Sequence, residues 1–244
     1  MILDFFARDW HGASFELFGT PHLIALTCVA LWIIGIVVIG RRADPRTRDF
    51  MRYMIATILV VDELMWHWWN WYAGFWSVQY TLPFHVCSVL VWGSAYMLYT
   101  NNYALYEFAY FMGIGAAIQA LLTPDAGLYG FPHFRAFQTM ISHGTIIAAA
   151  CFMTWVLGIR PYPRSILRVA VGMNIYMVLV MIINAILGSN YMFIAHKPEV
   201  PTLIDAMPPW PWYILILELM GLAIVLILYI PWFIYDWRRK ALST

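Results

Sequence analysis

The stretch that decides the fold is PHLIALTCVALWIIGIVVI, residues 21–39. It contains no Asp, Glu, Lys or Arg, and a helix needs about 20 mostly apolar residues to cross a bilayer. The segment before it does not read as a cleaved signal peptide, because it is interrupted by Asp4, Arg8, Asp9 and Glu16. We therefore expect residues 21–39 to form an uncleaved transmembrane helix.

The composition extends this prediction to the whole chain. Hydrophobic residues make up 63% of the 244 residues and charged residues 11%, whereas soluble domains carry about 25% charged residues. We predict an all-α polytopic membrane protein with seven transmembrane helices, at about residues 21–39, 52–72, 82–99, 104–122, 137–157, 166–188 and 212–232. Residues 1–20 mix apolar and charged side chains, as an outer interfacial segment does. We expect a single membrane domain over residues 1–244.

The distribution of Lys and Arg predicts the orientation of the helices, because positive residues favour the cytoplasmic side. One set of helix ends contains eleven of them, within residues 41–52, 160–168 and 238–240, and the other set contains three. We therefore predict an outer N-terminus, an inner C-terminus and a multi-pass protein of the plasma membrane. The net charge of +1 and the lack of a basic patch argue against nucleic acid as a partner.

Polar side chains within the apolar spans indicate where function resides, because ionisable groups are costly inside a membrane. At 1.5 Å per residue, Cys87 lies roughly 8 Å, and His143 and Glu218 roughly 9 Å, from the predicted outer helix ends. Glu63 lies deeper, at roughly 14 Å. Gln119 lies within about a turn of the outer end of the fourth span. Several helices thus bring polar groups to one layer of the outer leaflet.

These residue types favour acyl transfer through a cysteine thioester. A cysteine nucleophile reacts as a thiolate, which a neighbouring histidine can generate while a third group orients the imidazole. His85 and Cys87 are two residues apart and would point about 200° away from each other on a helix. The base would therefore come from another helix, where His143 has a matching depth. Either Glu63 or Glu218 would orient His143.

Other interpretations of the same residues stay open. Ser88 is an alternative nucleophile, since a cysteine in an apolar segment is most often a small hydrophobic residue. In a metal-dependent lipid hydrolase, His67, His85 and His143 would ligate zinc, although the chain has no local zinc-motif spacing. Intramembrane carboxylates also fit a transporter or receptor, although matching broken helices are lacking. The acyltransferase hypothesis needs no cofactor and leaves the oligomeric state open.

Seven sequence blocks carry a resemblance to a known family. They are LPFHVCS at 82–88, QALLTPD at 119–125, FPHFR at 131–135, SHG at 142–144, NYMF at 190–193, KPE at 197–199 and WPWY at 210–213. With these blocks the chain resembles the YwaF-like family of bacterial seven-span membrane proteins. It is similar, more distantly, to the animal membrane acyltransferases that make polyunsaturated ether phospholipids.

The resemblance implies a cysteine nucleophile at Cys87, a histidine at His143 and membrane phospholipids as partners. More remote relatives are membrane hydrolases of fatty acid esters with a threonine nucleophile, so the nucleophile varies across the wider group. We expect the substrate to be bound by His85, Ser88, Gln119, His133, Arg135, Asn190, Tyr191 and Lys197. Among these, the outer-loop cations would hold a lipid phosphate through charge-assisted hydrogen bonds, although cations near helix ends also serve as interfacial anchors.

Overall fold

The computed structural model describes residues 2–124, 127–198 and 203–241, and every regular element within them is a helix. This confirms the predicted all-α class. The α-helices are α1 (Ile2–Phe5), α2 (Thr20–Arg42), α3 (Pro45–Tyr72), α4 (Val86–Thr100), α5 (Tyr103–Phe108), α6 (Ile114–Leu122), α7 (Phe134–Cys151), α8 (Pro163–Leu187) and α9 (Trp212–Ala241). The π-helical turns are Ala109–Gly113 and Phe152–Val156, and the 3₁₀ turns are Tyr191–Phe193 and Leu203–Ala206.

Five helical segments in the described part of the chain are long and apolar enough to cross a membrane. They are Thr20–Arg42, Tyr103–Leu122, Phe134–Val156, Pro163–Leu187 and Trp212–Ala241. Helix α4 is apolar but shorter, and α3 carries several charges along its length. The prediction of a membrane protein with several apolar helices is therefore confirmed, and the count of seven spans stays a prediction.

Helix α3 begins earlier than the predicted span over residues 52–72. The Asp44 side chain accepts hydrogen bonds from the backbone N–H groups of Arg46 and Thr47, at 2.9 and 3.1 Å. Such an N-cap satisfies N–H groups that lack an intrahelical partner, and proline is favoured at the first helical position. The helix therefore begins at Pro45 and includes residues that hydropathy alone left in a loop.

Helix α4 begins later than the predicted span over residues 82–99. Residues 82–85 form a turn in which the Phe84 N–H donates to the Leu82 carbonyl, at 2.8 Å. The helix then starts at Val86. Consequently Cys87 lies in the first turn of α4, where backbone N–H groups have no intrahelical acceptor, and not several residues inside a helix as the sequence suggested.

The described residues group into two compact units. The first contains the chain up to Trp76 together with Val86–Ile159, and the second contains Ser77–His85 and the chain from Arg160 onward. Helices α1 to α7 belong to the first unit, and α8 and α9 belong to the second. The single membrane domain expected from the sequence stays a prediction.

Helix α7 is the centre of the first unit. It packs against α2, α3, α4 and α6, and its second half is buried, with no exposed surface at Ala148, Ala149 or Ala150. A Cβ atom at Gly144 would lie only 2.8 Å from a methyl group of Val29, so the glycine allows α2 to approach closely. This buried half holds α7 in place and thereby positions the polar side chains of its first half.

Candidate functional site

Two adjacent acids, Asp62 and Glu63, lie buried in α3 with 8% and 4% of their surface exposed. On the α7 side, the Gln138 amide donates to Oδ2 of Asp62 at 3.0 Å, and the Ser142 hydroxyl faces the same carboxyl group. Since a buried carboxyl group without partners is strongly disfavoured, these contacts explain how Asp62 is tolerated. We call Asp62, Glu63, Arg135, Gln138 and Ser142 the polar cluster.

Arg135 supplies the positive charge of the polar cluster. Its guanidinium donates to Oε1 of Gln138 at 2.8 Å and lies within electrostatic range of both acids. It also lies over the rings of Trp66 and Trp69, at 5.9 and 5.6 Å from their centroids, which is a favourable cation–π arrangement. The side chain predicted to hold a lipid phosphate is thus directed into the protein.

Glu63 differs from Asp62 because one of its oxygens has no hydrogen-bond partner among the described residues. That atom, Oε1, is buried and lies 3.7 Å from Nε2 of His67, one turn further along α3. The Trp76 indole N–H donates to Nδ1 of His67 at 3.3 Å. Nδ1 is therefore the acceptor of this imidazole, and the protonated Nε2 faces Glu63.

The Cys87 side chain is another ionisable group near this acid. It is half-buried in the first turn of α4, which packs on α3, and Glu63 lies within its electrostatic range. No hydrogen bond joins Cys87 to His143 in the part of the chain that the structure describes.

His143 lies on α7, half-buried, within electrostatic range of Arg135. Its Nδ1 lies 2.8 Å from the Thr139 carbonyl. A carbonyl oxygen only accepts, so Nδ1 carries the proton and Nε2 keeps a lone pair that can take up a proton. A backbone carbonyl therefore orients the imidazole, whereas the sequence suggested that Glu63 or Glu218 would do so.

Three other predicted residues make none of the contacts described above. Glu218 is half-buried in α9, which belongs to the second unit. Gln119 is exposed on α6, and Ser88 is half-buried next to Cys87. Within residues 2–124, 127–198 and 203–241, neither the Gln119 amide nor the Ser88 hydroxyl makes a hydrogen bond to another side chain.

His133 is buried and uses both ring nitrogens within the protein. Nδ1 accepts from the Arg135 backbone N–H at 3.1 Å and so caps α7, while Nε2 donates to the Ala7 carbonyl at 2.9 Å. Burial, together with the nearby Arg135 charge, lowers the pKa of His133 below its usual value. A neutral ring with both nitrogens occupied is poorly suited to a phosphate, which differs from the predicted role.

The same histidine belongs to a set of side chains that hold the N-terminal segment. The successive backbone carbonyls of residues 6–8 accept hydrogen bonds from Trp69, His133 and Tyr129, at 3.1, 2.9 and 3.0 Å. We call residues 5–8 the strap. Its aromatic rings help to line an apolar groove of about 460 Å³, which reaches Asp62 and Gln138 between α3 and α7.

In the second unit, Tyr191 and Asn184 organise a hydrogen-bonded network. The buried Tyr191 hydroxyl donates to the Val78 carbonyl at 2.8 Å and accepts from the Leu82 N–H at 2.9 Å. Oδ1 of Asn184 accepts from the Tyr191 N–H at 2.8 Å, and its amide donates to the Tyr191 carbonyl at 3.0 Å. Burial raises the pKa of Tyr191 above its usual value. His85 joins this region by accepting from the Met192 N–H at 3.3 Å.

Asn190 and Lys197 fold the loop that follows. Oδ1 of Asn190 accepts from the N–H groups of Ala195 and His196 at 3.1 and 3.2 Å. The Lys197 ammonium donates to the carbonyls of Asp205 and Met207, at 3.2 and 2.7 Å. Both predicted substrate ligands therefore have loop-stabilising contacts.

Sequence alone did not single out Asp62, Gln138 and Ser142, which are three of the five residues of the polar cluster. The signal was present, since Asp62 is an acid within an apolar span and Arg135, Gln138 and Ser142 lie at i, i+3 and i+7 on one helix face. Two residues of the sequence blocks, Asp125 and Glu199, lie outside the described residues.

Across the described residues, no three His, Cys, Asp or Glu side chains come close enough together to hold a metal ion. The arrangement of His67, His85 and His143 proposed for a zinc hydrolase is thus not present as a cluster.

Comparison with protein families gives one finding. The family model described as "TMEM164 family" matches residues 17–229. The chain matches no curated protein and no solved structure.

Proposed function

Because the chain belongs to the TMEM164 family, a family of membrane proteins, we propose that it is a membrane acyltransferase that moves phospholipid acyl chains through a thioester on Cys87. The observation that carries the proposal is that Cys87 lies in the first turn of α4, within electrostatic range of the buried Glu63 of the polar cluster. A cysteine nucleophile attacks an ester as a thiolate, so a base must take up its proton. Sequence blocks support a closer grouping with the bacterial YwaF-like proteins.

The reaction has two halves. In the first, the Cys87 sulfur gives up its proton and attacks the ester carbonyl, the bond to the glycerol oxygen breaks, and that oxygen takes up a proton to leave as a lysolipid alcohol. In the second, an acceptor hydroxyl attacks the thioester and its proton passes to Nε2 of His143. The C–S bond breaks, and the imidazolium returns the proton to sulfur. Water as the acceptor would make the same site a lipid hydrolase.

The apolar groove supports a lipid substrate. It is lined by the strap residues Phe5 and Phe6 and by Phe137 and Ile141 of α7. A hydrocarbon chain in this groove would bury apolar surface at about 25 cal/mol per Å². Within the first unit Arg135 is the proposed phosphate ligand, and it would exchange its present partner Gln138 for the phosphate.

The proposal includes a membrane arrangement. Seven spans with an outer N-terminus and an inner C-terminus place Cys87 near the outer leaflet of the plasma membrane. The concentration of Lys and Arg at one set of helix ends supports this orientation.

Intact-protein mass spectrometry tests the proposal. Wild-type protein is incubated with mixed phospholipids beside Cys87→Ser and His143→Ala, with Cys28→Ser as a matched control because Cys28 is exposed on α2. We expect a fatty-acyl adduct on wild type and on Cys28→Ser that hydroxylamine removes. Cys87→Ser should lack this hydroxylamine-labile adduct, and His143→Ala should form the adduct but turn it over slowly. An adduct that survives in Cys87→Ser with the same lability would overturn the assignment.

A further inference from the structure

We infer that Glu63, supported by His67, accepts the proton of the Cys87 thiol in the first half-reaction, and that His143 serves only the second. The inference rests on the proposed function, because it assigns a role within that same site. The two half-reactions then use different proton acceptors, Glu63 and His143, whereas the sequence suggested His143 for both.

The first observation is the unpartnered oxygen of Glu63. Oε1 is buried, has no hydrogen-bond donor among the described residues, and belongs to a side chain with 4% of its surface exposed. Leaving a buried acceptor unsatisfied costs about 1–3 kcal/mol. Gln138 satisfies the adjacent Asp62, so the helix environment does supply donors. An acid left without one, within electrostatic range of a thiol, is available to receive a proton.

The second observation is the orientation of His67. Trp76 holds Nδ1, so the Nε2–H group points at Glu63 from 3.7 Å. The His67 side chain is 23% exposed and Trp76 is 41% exposed. His67 and Trp76 therefore connect the buried carboxyl group of Glu63 with the protein surface. A small movement of His67 would turn the 3.7 Å contact into a hydrogen bond that stabilises the charged form of Glu63.

The surrounding charges are compatible with this role. Asp62 precedes Glu63 on α3, and Arg135 reaches both acids from α7. From α4, the ionisable group within electrostatic range is Cys87. One cation thus stands opposite two acids, which makes the uptake of one proton by the pair favourable.

Every proton that moves in the first half-reaction is accounted for. The thiol proton moves to Oε1 of Glu63 as the sulfur attacks the ester carbonyl, and the negative charge passes from the carboxylate to the carbonyl oxygen of the tetrahedral intermediate. When the C–O bond breaks, the leaving alkoxide takes the same proton from Glu63, and the carboxylate is restored. No oxidant, metal or further reactant is needed.

Thiol alkylation tests the inference without any lipid substrate. In a Cys28→Ser, Cys151→Ala background, we would measure the alkylation rate of Cys87 by a membrane-permeant maleimide at pH 7.5. Glu63→Gln should slow the reaction by about tenfold or more, because a general base typically contributes at least that factor. Glu107→Gln is the matched control, because Glu107 is a buried acid of α5 outside the polar cluster, and it should change the rate by less than about threefold.

Three results would overturn the inference. An unchanged rate in Glu63→Gln would show that the acid does not take the proton. A faster rate would show that Glu63 only repels the thiolate. Equal slowing in Glu63→Gln and Glu107→Gln would indicate general disruption of the protein. Because Glu63→Gln could fold poorly, His67→Gln provides a second variant at a partly exposed position, for which we expect an alkylation rate reduced about threefold.

The outcome is separable from that of the proposed function. If wild type forms a thioester but Glu63→Gln is alkylated normally, the acyltransferase proposal stands and the role of Glu63 falls. If Glu63→Gln is alkylated slowly and wild type never forms an adduct, the proton acceptor is correct and the acyltransferase proposal falls.

Discussion

Two equally buried polar side chains, Asn184 in the second unit and Glu63 in the first, differ in how their polar atoms are satisfied. In the second unit, Asn184 is 4% exposed and uses both atoms of its amide group, and Ser189 adds a further hydrogen bond to Oδ1 at 2.8 Å. In the first unit, Glu63 is equally buried and Oε1 has no donor among the described residues. The Asn184 amide holds a loop in place. Glu63 instead has a carboxyl oxygen without a donor among the described residues, within electrostatic range of the Cys87 thiol.

This difference distinguishes buried groups that stabilise the fold from a buried group with an acceptor available for a reaction. A fully satisfied buried network rigidifies a region and has no capacity left for a ligand. An unsatisfied buried acceptor lowers stability by about 1–3 kcal/mol and calls for an explanation, of which a catalytic role is one. The contacts around Tyr191 stabilise its loop, and the contacts around Glu63 are where we propose that the reaction takes place.

The sharpest stability effect should come from breaking the satisfied network. Asn184→Leu would leave the buried N–H and C=O groups of Tyr191 without partners, and we expect a loss of about 3 kcal/mol in the free energy of unfolding. Asn174→Leu is the matched control, because Asn174 is exposed on the same helix and bonds only to the Ala170 carbonyl. Thermal unfolding in detergent micelles measures both. Equal effects would remove the distinction between structural and reactive groups.

An intermediate effect should come from the strap, through the pH dependence of His133. Its pKa is lowered in the folded protein by burial, so the folded state binds fewer protons than the unfolded state below the usual value of about 6.5. The stabilising contribution is therefore fully present above that pH and is lost as the pH falls. We expect limited proteolysis within residues 2–8 to accelerate between pH 8 and pH 5.5.

A variant provides the control for this prediction. His133→Ala removes the α7 cap and one strap contact, which should cost about 1 kcal/mol. It should also make the strap accessible to protease at both pH values. If the variant keeps the pH dependence of wild type, another group is responsible.

The smallest stability effect should come from Glu63 itself. Glu63→Gln removes a buried acid that has an unsatisfied oxygen, so the free energy of unfolding should stay within about 1 kcal/mol of wild type or increase. Gln138→Leu provides the contrast, because it separates Arg135 from Asp62 and should cost about 2 kcal/mol. Urea-induced unfolding in mixed micelles compares the two variants. A large loss in Glu63→Gln would assign Glu63 to the structural class.

The helices follow from the sequence more directly than the site does. Apolar runs predicted the helical segments, since hydropathy and length are local properties. The helix starts shifted where side chains act on the backbone, as Asp44 does for α3 and His133 does for α7. Those shifts matter for the site, because the later start of α4 is what puts Cys87 in a first turn.

Residue depth was a weaker guide. It passed over Asp62, whose partners come from a helix more than 70 residues away in sequence. Depth along a helix axis carries no information on which face meets which neighbour, and hydrogen-bond partners depend on that face.

By itself, the sequence determined an all-helical membrane protein rich in apolar segments, the family blocks and the presence of a cysteine, histidines and acids in apolar surroundings. These properties depend on composition and on local spacing along the chain. The tertiary structure decided which acid lies within electrostatic range of Cys87, which carbonyl orients His143 and which buried oxygen has no donor among the described residues. These properties depend on contacts between helices that are distant in sequence, and only the packing of α3, α4 and α7 brings those groups together.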